Sequence, residues 1–426
     1  MDDRRPAPEL GGGELHPSEL SLPPEEVASR LRHLGGLVFL DSSSAPALGC
    51  QISLVTARPT RLLKGSIHDE SDHARLREAL GKAPMAPDRP FPDSGLLGFI
   101  DFDGGFVFGD YSELLVFDHA DEVWWESGNL SSQLAEKPSS DERPGRLNFE
   151  PDTPADSFLA AVDRAKEYIA AGDIYQVNIA HRFSADWPTE ADPFAFYRVL
   201  REVSPVPHGA FIELDGHTVL STSPECFLRI SGSSITTRPI KGTRPRFRDP
   251  DLDQRSVYDL LTSPKEIAEL VMITDLERND LGKICEFGSV RTEEFLRLEQ
   301  FEHVYHRVSS ITGLLRAEVD QVAALASVYP GGSISGAPKR RALEIIHELE
   351  PLKRGLYTGA IGYLGRNGES GFNIAIRTAE IVDGKIRFHV GSGIVADSDT
   401  EAEYQETLHK AAGFFEAAMH GHDPAP

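Results

Sequence analysis

Two widely separated segments of the chain carry acidic side chains at the same spacing. Glu266 and Glu269 are three residues apart, and so are Glu403 and Glu406. Residues three apart lie on one face of a helix, so each segment would present two stacked carboxylates. Glu269 and Glu406 have apolar neighbours, beside which an unpaired carboxylate is costly. A hard cation between the two helices would remove that cost, because Mg²⁺ binds carboxylates, water and an anionic ligand.

Helix capping is the simpler explanation for the first acid of each pair. Ser263-Pro264-Lys265-Glu266 has the pattern of a capping box, with Ser263 at the N-cap and Glu266 three residues later. The segment 400–403, Thr-Glu-Ala-Glu, repeats that pattern. The residues alone leave capping and metal binding equally open for Glu266 and Glu403, whereas their partners have no capping role.

Two glycine-rich segments predict binding of an anion. Residues 330–339 (Pro-Gly-Gly-Ser-Ile-Ser-Gly-Ala-Pro-Lys) lead into a predicted helix, and residues 391–393 (Gly-Ser-Gly) follow a predicted strand. Backbone N–H groups at such junctions favour anions, although a tight turn would give the same pattern. Together the two segments indicate a small ligand with more than one carboxylate.

Four titratable side chains lie in or beside strand-like segments, where charge is unexpected. They are Glu225, Lys241, His306 and Arg377. Taken alone, Lys241 and Arg377 are more often surface charges than functional residues, and Glu225 and His306 are ambiguous.

Local patterns predict the elements that would position these residues. Asp-Gly pairs between strand-like runs predict β-hairpins. The three hairpins span residues 99–108, 211–220 and 379–388. Apolar residues at helical spacing from Phe158 to Ile169 predict a helix with Ser157 at its N-cap and Gly172 at its end. Hairpins mixed with helices favour an α+β fold with antiparallel sheets.

Composition excludes several classes of function. Of 426 residues, 43 are Lys or Arg and 67 are Asp or Glu, which gives a formal net charge of −24. Nucleic-acid binding and attachment to an anionic membrane both need a basic surplus, so neither is expected. No apolar run approaches the length of a membrane span. Three widely spaced cysteines suit a reducing compartment, so we expect a cytoplasmic protein.

Polar stretches predict how the chain is divided. Residues 1–25 are rich in Pro, Gly and Glu and are expected to form a flexible tail. A second polar stretch, near residues 131–156, reads as a linker or a long surface loop. It separates a smaller region, residues 26–150, from a larger one, residues 151–420, which holds the residues considered above.

Seven motifs between about residues 157 and 418 resemble, in order, those of the chorismate-utilising enzymes. This family includes anthranilate synthase component I, aminodeoxychorismate synthase component I, and the isochorismate and salicylate synthases. The motifs are Gly-Asp-Ile-Tyr-Gln-Val-Asn (172–178), Ser-Pro-Glu (223–225), Arg-Pro-Ile-Lys-Gly-Thr-Arg (238–244), Asp-Leu-Glu-Arg-Asn-Asp-Leu-Gly (275–282), the glycine-rich segment 330–339, Arg-Gly-Leu-Tyr-Thr-Gly (354–359) and Glu-Tyr-Gln-Glu-Thr (403–407). The N-terminal region resembles the family only loosely.

The resemblance implies a fold, a metal and a set of site residues. The expected fold is α+β, with two large antiparallel sheets packed as a sandwich and surrounded by helices, and with Mg²⁺ bound. The metal carboxylates fall on Glu269 and Glu406, with Glu266 and Glu403 beside them. The implied catalytic residues are Lys241 and Glu225. Substrate contacts are implied for Gln176, Thr243, His306, Ser333, Tyr357, Arg377, Gly391, Gly393 and Lys410.

Two positions distinguish members of this family. Members that add water use a lysine as general base at the position of Gln176. A neutral amide cannot deprotonate water, so the resemblance implies a ready-made nucleophile such as ammonia. Anthranilate synthase normally has alanine at the position of Lys241, whereas lysine is typical of aminodeoxychorismate synthase component I. We therefore expect the second activity, with the first as the alternative.

The implied reaction converts chorismate and ammonia to 4-amino-4-deoxychorismate. Lys241 would add to C2 of the ring while Glu225, as general acid, helps to expel the C4 hydroxyl. Ammonia would then add at C4 as Lys241 departs. Cys50 lacks the context of a glutaminase nucleophile. The resemblance therefore implies a separate glutamine amidotransferase subunit, and a separate lyase that completes 4-aminobenzoate on the route to folate.

Overall fold

The computed structural model describes residues 14–43, 52–81, 89–138, 142–301 and 304–419. Within these ranges the chain forms nine α-helices and two antiparallel sheets. The helices are α1 (Pro24–Leu31), α2 (Glu70–Leu80), α3 (Ala155–Ala170), α4 (Pro193–Val203), α5 (Pro250–Thr262), α6 (Pro264–Gly282), α7 (Gln321–Val328), α8 (Lys339–Leu349) and α9 (Thr400–Met419).

The strands follow the same chain order. They are β1 (His16–Ser18), β2 (Val38–Asp41), β3 (Ile52–Thr56), β4 (Arg61–Ser66), β5 (Gly95–Ile100), β6 (Gly105–Tyr111), β7 (Leu114–Asp118), β8 (Val123–Ser127), β9 (Glu150–Pro151), β10 (Gln176–Asp186), β11 (His208–Leu214), β12 (His217–Ser223), β13 (Cys226–Ser231), β14 (Ser234–Arg238), β15 (Ile240–Pro245), β16 (Arg291–Gln300), β17 (Val304–Leu314), β18 (Gly336–Ala337), β19 (Ala360–Gly365), β20 (Ser370–Ile374), β21 (Thr378–Val382) and β22 (Lys385–Ile394).

The strands form one sheet of twelve and one of ten. The larger sheet has the order β1-β8-β7-β3-β2-β11-β12-β21-β22-β10-β18, with β9 also paired to β10. The smaller sheet has the order β15-β17-β14-β13-β20-β19-β5-β6-β4, with β16 also paired to β17. The expected α+β fold with two large antiparallel sheets is confirmed.

Alternation along the strands packs the two sheets face to face. Val38 of β2 lies in an inner apolar layer with Leu97 of β5 and Ile361 of β19. The next residue, Phe39, points to the outer face of its sheet, in one cluster with Phe414 of α9. Side chains of α2 and α7 lie in one apolar cluster with residues of the smaller sheet, whereas α8 packs on β10 and β18 of the larger sheet. Successive strand residues point to opposite faces, so one strand serves both layers.

All three predicted hairpins are confirmed, as β5–β6, β11–β12 and β21–β22. The predicted helix is also present as α3, with Phe158, Val162 and Ala165 buried. Its predicted N-cap is wrong, because α3 begins at Ala155 and Pro154 occupies the cap position. Pro154 has the extended backbone that proline favours just before a helix, so α3 begins at the next residue, two residues before Ser157.

Of the capping box predicted at α6, the Ser263 cap is present, whereas the Glu266 carboxylate pairs with Arg244 and the Ser263 amide donates to the backbone oxygen of Asp259. Ser263 caps α6, and its hydroxyl accepts a hydrogen bond from the Glu266 amide at 3.4 Å. In α9 the expected cap is wrong: the Asp399 carboxylate accepts from the Ala402 amide at 2.9 Å, whereas Thr400 already lies inside the helix. An aspartate one residue earlier offers a charged acceptor, which suits the positive end of a helix dipole.

The chain regions before and after residue 150 both contribute strands to each of the two sheets. β2 pairs with β11 in the larger sheet, and β5 pairs with β19 in the smaller one. Both regions therefore build one sandwich. Within the expected tail, the short strand β1 pairs with β8, and residues 1–13 lie outside the described ranges.

No helix in the described part of the chain is both long and apolar enough to cross a membrane. Cys226 and Cys285 are buried free thiols, and Cys50 falls outside the described residues.

A buried arginine ties three parts of this framework together. Arg354 donates to the backbone oxygen of Asn178 in β10 at 2.8 Å and to that of Ile334 at 3.2 Å. It also forms a 2.7 Å ion pair with Glu350, and only 1% and 5% of the two side chains are exposed. Removing one partner of a buried pair leaves the other charge unpaired, which is strongly destabilising.

We therefore predict that Arg354→Ala lowers the free energy of unfolding by about 3–5 kcal/mol, measured by urea denaturation. The matched control is Arg340→Ala, whose side chain is 96% exposed beside Glu344. It should change stability by less than about 1 kcal/mol. Equal losses in the two variants would contradict a structural role for the buried pair.

Candidate active site

Most of the predicted functional residues come together in one pocket between the two sheets. β15 and β17 of the smaller sheet form one side, and β10 and β22 of the larger sheet form the other. Helix α6 packs on β15 and β17, and α9 packs on β22. The N-terminal turns of α6 and α9, with their glutamates, lie at this pocket.

Ser333 joins the two predicted catalytic residues. Its backbone oxygen accepts a hydrogen bond from Nζ of Lys241 at 3.1 Å, and its hydroxyl donates to Oε1 of Glu225 at 2.7 Å. Burial raises the pKa of Glu225, against the opposing effects of the Ser333 hydrogen bond and the charge of Lys241. A carboxyl that holds its proton more tightly than usual is suited to act as an acid.

His306 is a neutral hydrogen-bonding group in this pocket. Its Nδ1 lies 2.9 Å from the hydroxyl of Thr243 on the neighbouring strand. Burial, together with the positive charge of Arg377, lowers the pKa of His306 to about 3. At neutral pH the ring is uncharged, so it can donate or accept a hydrogen bond but cannot supply a proton as an imidazolium.

Arg377 presents an unpaired positive charge. It lies between β20 and β21 with a left-handed backbone (φ 49°), and its side chain is half-buried. In the described part of the chain, its guanidinium has no hydrogen bond or ion pair. Guanidinium groups bind carboxylates through two parallel hydrogen bonds. Arg377 is therefore available to an anionic ligand.

Two glycines of β22, which forms the floor of the pocket, allow neighbouring side chains to lie close to its backbone. A Cβ on Gly391 would lie 2.7 Å from the side-chain oxygen of Asn178 and 2.9 Å from the hydroxyl of Tyr357. A Cβ on Gly393 would lie 2.3 Å from the side-chain nitrogen of Gln176. A side chain at either glycine would collide with these groups, so only glycine lets them lie this close to the backbone of β22.

Asn178 is a pocket residue that sequence reasoning missed. The side-chain oxygens of Asn178 and Gln176 are buried and have no hydrogen-bond partner among the described residues. An unsatisfied buried polar atom is uncommon and often marks a binding site. The available signal was an amide between the apolar residues Val177 and Ile179, two residues after Gln176 and so on the same face of β10.

Glu269 and Glu406 face each other from α6 and α9. Burial raises the pKa of Glu269, against the charges of Lys241 and Lys265, and Glu406 adds to the rise. Partial burial would raise the pKa of Glu406, but the ammonium of Lys410, 2.7 Å from Oε1, lowers it to about 2. Nζ of Lys410 also donates to the backbone oxygen of Gly391 at 3.0 Å, which connects α9 to the floor of the pocket.

The other two predicted metal carboxylates already have protein partners. Glu403 is 2% exposed and accepts from Ser398 at 2.7 Å, from Ser392, and from Lys265 at 2.7 Å. The same Lys265 ammonium lies 4.0 Å from Oε1 of Glu269. A lysine thus lies between the two carboxylate helices, where the sequence predicted a metal. Glu266 pairs with Arg244 at 3.2 Å.

Whether the carboxylates of α6 and α9 suit a metal ion depends on how many protein ligands that ion requires. Within the described ranges, no three histidine, cysteine, aspartate or glutamate side chains gather as a metal cluster. Mg²⁺, however, is commonly held by only one or two carboxylates together with water and substrate. Glu269 and Glu406 meet that smaller requirement, whereas the three donors to Glu403 leave it poorly placed to bind a cation.

The glycine-rich segment binds a carboxylate of the protein itself. The amide of Gly332 donates to Oε1 of Glu277 at 3.0 Å, and Glu277 is 4% exposed on α6. The anion predicted at this segment is therefore, at Gly332, a side chain rather than a ligand. Sequence reasoning missed Glu277, although it lies within the motif 275–282, because spacing alone does not show which helix faces the loop.

Comparison with known proteins agrees with this geometry. The family model described as chorismate binding enzyme matches residues 99–416. Anthranilate synthase component 1 of Thermus thermophilus is 43% identical over 295 residues, which cover 69% of this chain and 63% of that protein. Aminodeoxychorismate synthase component 1 of Bacillus subtilis is 37% identical, with 75% of this chain and 76% of that protein covered. The Thermus relative is therefore matched over less than two thirds of its length.

The solved structures include an anthranilate synthase component I from Streptococcus pneumoniae with the same architecture. Its TM-score is 0.75 at 30% sequence identity, and the match covers 86% of this chain and 92% of that one. The expected anthranilate-synthase component I-like fold is confirmed by this likeness.

The unpaired guanidinium leads to a binding prediction. We predict that Arg377→Met weakens binding of chorismate, a dicarboxylate, by about 10- to 100-fold, because a charge-assisted hydrogen bond contributes about 1.5–3 kcal/mol. The measurement is calorimetric titration without ammonium, so that no turnover occurs. Arg387→Met, on the β21–β22 hairpin outside the pocket, is the control and should leave affinity unchanged. Unchanged affinity in Arg377→Met would remove this residue from the ligand site.

Proposed function

Because this chain belongs to the chorismate-binding enzyme family, we propose that it is an aminodeoxychorismate synthase component I. The reaction would be chorismate plus ammonia to 4-amino-4-deoxychorismate plus water, with the pyruvyl ether intact. The observation that carries this proposal is the position of Lys241. Its amine lies in the pocket, hydrogen-bonded to the same residue that holds the acid Glu225.

In the first step, the neutral amine of Lys241 adds to C2 of the ring. The electrons of the diene shift, and the C4–O bond breaks as Glu225 gives its proton to the departing hydroxyl, which leaves as water. Lys241 has to lose a proton before it attacks, and Glu225 has to hold one. Transfer of one proton from the ammonium to the carboxylate would prepare both groups together, and the raised pKa of Glu225 favours that transfer.

In the second step, ammonia adds at C4, the double bonds shift back, and the C2–N bond to Lys241 breaks. The ammonium group that has formed at C4 gives a proton to the Glu225 carboxylate, which restores the acid, and Lys241 is restored as a free amine. Gln176 supports ammonia over water as the nucleophile, because an amide cannot act as a base toward water. The buried amides of Gln176 and Asn178 border the same floor of the pocket.

The substrate is a dianion, and the pocket offers it several groups. Arg377 supplies the guanidinium, Tyr357 its hydroxyl beside Gly391, and Lys410 an ammonium from the middle of α9. The pair of Thr243 and His306 offers neutral hydrogen bonds. We assign substrate binding to these groups and to the backbone of Gly391 and Gly393. They give the pocket a positive character that the whole chain, with its net charge of −24, does not have.

We propose Mg²⁺ as the cofactor, held by Glu269 and Glu406. When bound, such an ion would draw electron density from the diene through the ring carboxylate. Glu266 and Glu403 would not bind the ion directly. Glu266 would orient Arg244, and Glu403 would orient Lys265. Lys265 keeps the two carboxylate helices at a fixed spacing, because its ammonium contacts both.

Two partner proteins complete the proposal. The relatives' names include the words component 1, which supports a second component here, and we propose a glutamine amidotransferase that releases ammonia. A separate lyase would then remove pyruvate from the product to give 4-aminobenzoate for folate. The alternative is anthranilate synthase component I, the name carried by several of the similar proteins.

One product assay separates the two activities. The protein is incubated with chorismate, an ammonium salt and Mg²⁺, with and without aminodeoxychorismate lyase. We expect 4-aminobenzoate only in the reaction that contains the lyase. Fluorescent anthranilate formed without the lyase would refute the proposal and establish the alternative.

The nucleophile is tested by Lys241→Ala. We predict that formation of 4-amino-4-deoxychorismate falls by at least about 100-fold, because no amine remains to open the ring from C2. Some direct amination at C2 is expected in its place, seen as anthranilate. Lys385→Ala, an exposed lysine on the β21–β22 hairpin, is the control and should match the unaltered protein. Undiminished product from the Lys241 variant would exclude covalent catalysis.

The metal site is tested by Glu269→Gln. We predict that Mg²⁺ binds at least about 10-fold more weakly, because one of two carboxylate ligands loses its charge. Calorimetric titration with Mg²⁺ alone measures this without turnover. The control is Glu401→Gln, an exposed carboxylate on the first turn of α9. Identical metal titrations for the Glu269 variant and the control would remove Glu269 from the site.

A further inference from the structure

The C-terminal half of α6 carries two buried carboxylates that the proposed reaction does not use. Glu277 is 4% exposed and Asp280 is 1% exposed, although both lie in a helix whose other end borders the pocket. They belong to the motif 275–282, to which sequence analysis gave no role. A buried carboxylate is costly unless it has partners, so the contacts of these residues indicate what they do.

Both carboxylates hold the glycine-rich segment that carries Ser333. Glu277 accepts the amide of Gly332 at 3.0 Å, in the peptide group just before Ser333. The fit is close, because a Cβ on Gly332 would lie 2.9 Å from Oε1 of Glu277 and 2.6 Å from a methyl carbon of Leu276. Only glycine allows the backbone to approach α6 this closely.

Other contacts hold the segment on either side of the Gly332 amide, including the hydrogen bond from Arg354 to the backbone oxygen of Ile334 at 3.2 Å. Lys339 forms an ion pair with Asp280 and donates to the backbone oxygens of Pro330 at 2.7 Å and Val328 at 3.0 Å. Ser335 donates to the backbone oxygen of Gly331 at 2.9 Å. The contact between Glu277 and Gly332 lies between these anchors, at the peptide whose movement would carry Ser333 with it.

We propose that Glu277 is a positioning residue, which holds Gly332 and thereby Ser333. Through Ser333 it sets the distance between Lys241 and Glu225, whose two hydrogen bonds end on that residue. The role of this pair in chemistry rests on the proposed function, whereas the hold on the loop does not. A displacement of about 1 Å at reacting groups can cost as much as about 100-fold in rate.

The charge on Glu277 gives this role a pH dependence. Burial raises the pKa of Glu277 to about 7, against Lys339, while Asp280 and Glu225 add to the rise. An ionised carboxylate accepts an amide hydrogen bond more strongly than a protonated one does. The loop is therefore held most firmly above about pH 7, and the rate should fall as Glu277 takes up a proton.

Stability should change in the opposite sense. The pKa of Glu277 is raised above its ordinary value of 4.5, so the fold favours the protonated form. The stability from that preference is fully present below pH 4.5 and is lost as the pH rises to about 7. The protein thus keeps an ionised carboxylate under Gly332 at a cost in stability, as expected of a group retained for function.

The test compares two substitutions at this position with a matched control. Glu277→Gln keeps an oxygen that can accept from Gly332 but cannot titrate, and Glu277→Ala removes the acceptor. The control is Asp275→Asn, on the same helix, whose side chain is 79% exposed beside Arg278. Consumption of chorismate with ammonium and Mg²⁺ is followed from about pH 6 to 8, whichever product forms.

We expect Glu277→Ala to lower kcat by about 10- to 100-fold with less than about a threefold change in KM for chorismate. Glu277→Gln offers Gly332 a neutral acceptor, as the protonated carboxyl does. Its rate at pH 8 should therefore lie between those of Glu277→Ala and the unaltered protein, and it should lack the acid limb that the unaltered protein shows near pH 7. Asp275→Asn should behave as the unaltered protein. Equal losses in the Gln and Ala variants, or an acid limb that persists in Glu277→Gln, would overturn the proposal.

A second measurement needs no substrate and so is independent of the proposed function. Hydrogen exchange of peptides that cover residues 330–337 should be at least about 10-fold faster in Glu277→Ala than in Asp275→Asn, with Glu277→Gln between the two. Unchanged exchange in a folded Glu277→Ala variant would show that Glu277 does not hold the loop. Faster exchange without chorismate consumption in any form of the protein would instead count against the proposed function.

Discussion

The two hydrogen bonds of Ser333 are the interaction on which the pocket depends. One binds the ammonium of Lys241 and the other binds the carboxylate of Glu225, so a single residue of the glycine-rich segment fixes both. Lys241 comes from β15 of the smaller sheet, and Glu225 comes from the turn in which the chain passes from β12 of the larger sheet to β13 of the smaller one. Without the segment between them, nothing local in the sequence would bring an amine and an acid to one place.

Helix α6 connects this contact to the rest of the site. Glu269, near its N-terminus, lies at the proposed metal site, and Glu277, two turns later, supports the loop that carries Ser333. A helix is stiff along its axis, so the two ends cannot move independently over such a distance. The spacing between metal carboxylate and catalytic pair is therefore a property of one element.

Acidic side chains in the pocket lie beside basic ones, so their charges partly cancel. Among the described residues, five acidic side chains lie within the pocket, and each is partly compensated by a lysine or an arginine, as Glu406 is by Lys410 and Glu403 by Lys265. Arg377 is the exception among the described pocket residues, since it has no such partner. Because compensated charges cancel locally, the unpaired cation has the strongest attraction for an anionic ligand.

The sequence by itself determined the local features, because these depend on residues close together in the chain. The three Asp-Gly hairpins, helix α3 with its apolar stripe, and the Ser263 cap all followed from short patterns. The motifs also indicated the family, because each of them is a continuous run of residues. The cap of α9 was wrong because Thr400 and Asp399 offer equivalent patterns, and only backbone geometry chooses between them.

Only the tertiary structure decided which charges meet, because spacing within a segment does not reveal the partner brought by another. The sequence left capping and metal binding equally open for Glu403, and only the structure shows that Lys265 and two serines donate to it. It predicted a ligand anion at the glycine-rich segment, whereas Glu277 of a distant helix accepts the amide of Gly332. The sequence could not show that the side-chain oxygen of Asn178 would lie beside Gly391 without a partner among the described residues. Such outcomes depend on long-range packing, which sets the distances that electrostatics and hydrogen bonding require.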